Sequence, residues 1–81
     1  MPRKPSSRKF QLTINNPADH GYTHEQIRSI LSEFPGLVYW CMCDEIGEQG
    51  TPHTHVYMVS RNSIMFDTLH TKFYGAHVEL P

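Results

Sequence analysis

No stretch of this 81-residue chain is apolar for more than seven residues, the longest running from Leu37 to Cys43. A helix that crosses a bilayer needs about 20, so no segment reads as transmembrane and no membrane partner is expected. Cysteine is scarce as well. Cys41 and Cys43 are the two in the chain, and residues two apart on a strand share a face with backbone between them, poor geometry for a mutual disulfide. That argues against a disulfide-stapled secreted scaffold and for a reducing compartment. The basic N-terminus runs into Phe10-Gln11-Leu12-Thr13 with no apolar segment behind it, so it is not expected to act as a secretory signal. Charged residues make up 19% and apolar residues 38% of the chain. That composition supports one small soluble core, and the length leaves no room for a second.

What charge there is lies unevenly. Four of the seven Lys/Arg residues, Arg3, Lys4, Arg8 and Lys9, fall in the first nine positions, which leaves three basic and eight acidic residues for 10–81. A basic tail on a mildly acidic body points to a polyanion partner or a targeting signal. Met1 to Lys9 also holds two prolines and two serines and no periodicity, so residues 1–9 read as a mobile basic arm and 10–81 as the domain.

From Phe10 the pattern becomes regular. Phe10, Leu12 and Ile14 alternate with Gln11, Thr13 and Asn15 until Asn16-Pro17, the period of a half-buried strand. Thr23 followed by Gln26 forms a capping-box pattern ahead of Ile27, Ile30, Leu31 and Phe34, a helix stopped by Pro35-Gly36. Leu37 to Glu45 reads as a second strand, with Val38, Trp40 and Met42 toward the helices and Tyr39, Cys41, Cys43 and Glu45 away from them. After a loop containing Gly47 and Gly50, His53 to Ser60 forms a third strand. Ser63 to Lys72 reads as a second helix, and Ala76, Val78 and Leu80 mark the core side of a last strand. The order β-α-β-β-α-β predicts an α+β fold of the split βαβ, ferredoxin-like type, with both helices on one face and the other open. The first and third strands then lie side by side, with Thr13 and Asn15 next to His53 and His55.

Histidine is the enriched type, with six residues. His53 and His55 sit two apart on a strand and so point to one face about 6 to 7 Å apart, and Glu45 ends the preceding strand on that face. Folded together by the hairpin, they offer two nitrogens and a carboxylate to one cation and leave coordination positions free. A single His-x-His is a weak signal, since a solvated strand face produces it often. A zinc site that joins Cys41 and Cys43 to the histidines is a further arrangement of the same residues. Trp40, Phe34 and Phe66 read as core, His77 and Glu79 as solvated strand positions, and no role is read for His20 or His24.

Two segments carry a family resemblance. Phe10-Gln11-Leu12-Thr13-Ile14-Asn15-Asn16-Pro17 resembles the first motif of the replication initiator (Rep) proteins of circular single-stranded DNA viruses, the circovirus, geminivirus and smacovirus types. Glu45 through His55 resembles their HUH metal motif, with Thr54 where that motif is usually hydrophobic. The similarity runs from Phe10 to the end of the chain. It implies a metal-dependent endonuclease domain that nicks one strand at a replication origin, with Glu45, His53 and His55 holding one Mn²⁺ or Mg²⁺. It favours contact with single-stranded DNA for Asn15 and Asn16, whereas Gln11 and Thr13 either contact DNA from the open face or form the polar side of a strand. Arg3, Lys4, Arg8 and Lys9 are expected to hold phosphates by their charge, with a targeting signal possible alongside. A helicase domain in the parent protein fits the same family, and so does residence in the host nucleus for a eukaryotic virus or in the cytoplasm otherwise.

The family's nucleophile is a tyrosine in a Tyr-x-x-Lys helix after the last of these strands, and none of Tyr22, Tyr39, Tyr57 or Tyr74 has lysine three residues on. The nucleophile is therefore expected beyond Pro81, and the 81 residues are expected not to cleave DNA by themselves. Tyr57 and Tyr39 are expected to pack beneath that helix. The competing reading is an RRM-like sheet that binds single-stranded nucleic acid without chemistry.

Overall fold

The computed structural model describes residues 6–81. Arg3 and Lys4, and most of the expected arm, lie outside the described residues. In chain order the elements are β1 (Ser6–Asn15), a short 3-10 turn (Pro17–His20), α1 (His24–Leu31), β2 (Leu37–Ile46), β3 (Pro52–Met65), α2 (Phe66–Lys72) and β4 (His77–Glu79). The strands form one sheet in the order β2-β3-β1-β4, and every neighbouring pair is antiparallel. This is the split βαβ arrangement expected from the element order.

One face of that sheet makes the core. Phe10, Leu12 and Ile14 of β1 and Val56 and Met58 of β3 are buried in a single cluster with Ile27, Ile30 and Leu31 of α1, Leu69 of α2, and Phe73. Both helices therefore cover the same side. Full burial of each large apolar side chain contributes about 1.5–3 kcal/mol, enough to fix the register, because a one-residue slip of β1 would exchange Phe10, Leu12 and Ile14 for Gln11, Thr13 and Asn15. Thr23 caps α1 by accepting the Gln26 backbone N–H at 3.1 Å.

The edges differ from the sequence reading. β1 begins at Ser6, so the expected arm gives up its last four residues to the sheet. The cause is the length of β3, which continues past Ser60 and pairs Met65 with Ser6 and Ile64 with Ser7, with a shift in register between Ser7 and Lys9. The same extension takes Ser63, Ile64 and Met65 from the expected second helix, and α2 starts at Phe66. Val38 is 62% exposed rather than turned to the helices, because the β2–β3 register shifts between Leu37 and Tyr39. Leu80 lies past the end of β4 and is exposed, whereas Val78 is buried as expected.

Candidate metal centre and nucleic-acid face

The open face is built by alternation. Each residue that follows a core residue on β1 and β3 points away from the helices, which places Gln11, Thr13 and Asn15 beside Tyr57, His55 and His53, their direct cross-strand partners. On its other side β3 pairs with β2, so that Glu45 lies opposite His53, Cys43 opposite His55 and Cys41 opposite Tyr57. The expected juxtaposition of Thr13 and Asn15 with the two histidines is present.

Glu45, His53 and His55 offer one ligand atom each, all within 4.8 Å of one another. Glu45 Oε1 lies 3.5 Å from His55 Nε2, and the two imidazole rings are 5.8 Å apart at 66°. Two donors held at 2.0–2.2 Å by a common ion are about 3 Å apart when adjacent and about 4.4 Å apart when opposite. The group needs only a small side-chain adjustment to close, and its nitrogen and carboxylate donors suit a divalent cation. It can hold a metal ion. Among the described residues the thiols of Cys41 and Cys43 do not join this set, and both cysteines are free and exposed.

The loop between β2 and β3 brings Glu45 back to His53. It closes with Gly47 N–H donating to the Thr51 carbonyl at 2.9 Å and Gly50 N–H to the Gly47 carbonyl at 2.9 Å, and Gly50 takes φ +81°. Gly47 serves by its lack of a side chain. A Cβ there would stand 3.1 Å from His53 Nε2 and 3.4 Å from its Cε1.

A second polar cluster, missed from sequence, braces the same hairpin from behind. Thr54, between the two histidines, points to the helix side and is 1% exposed; its hydroxyl donates to Asp44 Oδ1 at 2.8 Å. His24 Nε2, in the first turn of α1, lies 3.0 Å from that same oxygen. These contacts, that of His24 foremost, hold the Asp44 carboxyl below its ordinary value. The buried Thr54 hydroxyl is thus satisfied, and His24 has a structural role. The available signal was positional: Asp44 and Thr54 are cross-strand partners on what alternation makes the apolar face.

Toward the opposite end of the open face, a groove of about 580 Å³ is lined by Ser7, Arg8, Lys9, Tyr57, Leu80 and Pro81. Tyr57 packs edge-on against Tyr39 at 6.4 Å. The Cys41 side chain, hydrogen-bonded to Tyr39, raises the pKa of that phenol. Of the expected DNA contacts, the structure brings Arg8, Lys9 and Gln11 to this end and Thr13 and Asn15 to the metal end. Asn16 differs, since it turns the chain out of β1 with φ 49° and donates its backbone N–H to the Pro52 carbonyl at 2.8 Å.

Among the described residues no helix is long and apolar enough to cross a membrane. No family model matches the chain, and neither does any curated protein.

Proposed function

We propose that this chain is the metal-binding part of a single-stranded DNA endonuclease domain of the rolling-circle replication-initiator type. The observation that carries the reading is the convergence of Glu45, His53 and His55 within 4.8 Å on the open face of a ferredoxin-like sheet. The donor set fits Mn²⁺ or Mg²⁺, and when bound such a cation would polarise a scissile phosphate and leave positions open for its oxygens. Arg8 and Lys9 supply positive charge for the backbone of the strand, and Gln11 and Asn15 offer hydrogen bonds between that end and the metal end. Tyr57 shares the face of His55, but it sits on a rigid strand against Tyr39, a poor position for in-line attack on phosphorus.

A non-catalytic, RRM-like binding module is favoured by one observation, the Tyr39–Tyr57 pair on the same open face. The two readings separate on metal dependence. Fluorescence anisotropy with a labelled single-stranded oligonucleotide should show binding strengthened by Mn²⁺ in the wild type and not in Glu45→Gln. Binding indifferent to Mn²⁺ in both proteins would sink the endonuclease reading in favour of the module.

A further inference from the structure

We propose that Thr13 is a positioning residue for this centre, and that its hydroxyl anchors Nδ1 of His55 so that Nε2 faces Glu45 and His53. The inference rests on the metal-binding reading above and assigns a partner to the back of one ligand. Thr13 Oγ1 lies 3.3 Å from His55 Nδ1, whereas Nε2 of the same ring lies 3.5 Å from Glu45 Oε1. A neutral imidazole carries a single N–H. A cation shared with Glu45 needs the bare lone pair at Nε2, so the proton must sit on Nδ1, where Thr13 is placed to accept it.

The backbone makes this contact dependable. Thr13 and His55 are direct partners on the two central strands, β1 and β3, so their separation is set by the sheet. Threonine adds a stiff χ1 that keeps its oxygen in place. A hydroxyl can also donate, so Thr13 supports either tautomer of the isolated ring; what it fixes is the ring's orientation. With a cation on the Glu45 side, the Nδ1–H form is the one it holds. Thr13 thereby serves the centre rather than the passing nucleic acid, which separates it from Gln11 and Asn15 on the same strand.

The test is a calorimetric Mn²⁺ titration of the whole chain, of Thr13→Val and of Thr13→Ser, with a thermal melt of each. Valine keeps the shape and favours a strand, so the melting temperature should hold while Mn²⁺ affinity falls about tenfold, the lower end of what losing such a partner costs. Serine restores the oxygen and should return affinity to near the wild-type value. Equal binding by wild type and Thr13→Val overturns the role, as does a serine variant as weak as the valine one, since restoring the hydroxyl would then fail to restore the affinity. If valine does not fold, Thr13→Ala takes its place under the same criterion. A wild type that binds no Mn²⁺ removes the metal reading itself and this role with it, so the two failures are told apart.

Discussion

Gly47→Ala should move metal affinity and stability in opposite directions. Gly47 is not among the residues with positive φ, so alanine meets no backbone strain and removes unfolded-state entropy, a gain of about 0.4–1 kcal/mol. In a domain this small, 1 kcal/mol corresponds to roughly 4–8 °C in melting temperature, so a rise of roughly 8 °C is the ceiling. The new methyl, however, would lie 3.1 Å from His53 Nε2, and relief requires the ring to shift by a few tenths of an ångström. Metal–ligand distances tolerate about 0.2 Å, so Mn²⁺ affinity should fall by about tenfold, comparable to disturbing a ligand's support. Calorimetry and a thermal melt on the same sample read both quantities. An alanine variant that is no less stable and binds Mn²⁺ as tightly as the wild type would show that His53 Nε2 does not face the ion.

Three further outcomes follow from the same geometry. Thr54→Val removes the buried hydroxyl that donates to Asp44 and should cost about 1 kcal/mol, read as a lower urea midpoint; an unchanged midpoint would mean that hydrophobic packing at this position offsets the missing bond. Because the folded Asp44 carboxyl is held below its ordinary 3.8, its contribution to stability is complete above that value and disappears as pH falls through the lower folded value. Asp44→Asn should therefore flatten the acid end of a stability-against-pH curve, and a curve parallel to wild type would refute the pairing. Replacing Arg8 and Lys9 with glutamine should lower the salt dependence of single-stranded DNA binding by about 0.7 of a slope unit for each phosphate that is no longer neutralised, whereas an unaltered slope would place the strand elsewhere.

The parts of the fold that were legible in the sequence are those governed by alternation against the core. Phe10, Leu12 and Ile14 gave β1 its faces, and once β1 and β3 are neighbours, Thr13 and Asn15 must meet His55 and His53. The ligand trio was legible for the same reason. Pairing between segments distant in sequence was not: Ser6 and Ser7 look like tail and Ile64 and Met65 like helix until β3 is seen to run long enough to join them. Val38 follows a similar logic, since a register shift against β3 breaks the alternation that placed it inside. The Asp44–Thr54–His24 brace was hidden because two of its members come from facing strands and the third from α1, an arrangement that no spacing along the chain encodes.

One divalent cation held by Glu45, His53 and His55 is open to test by a calorimetric Mn²⁺ titration of the wild type and of His55→Ala. The geometry predicts a single site in the wild type, because the three donor atoms converge within 4.8 Å of one another. In His55→Ala that binding should vanish while the thermal melt shows a folded domain. Equal Mn²⁺ binding by both proteins would move the ion away from this face of the sheet.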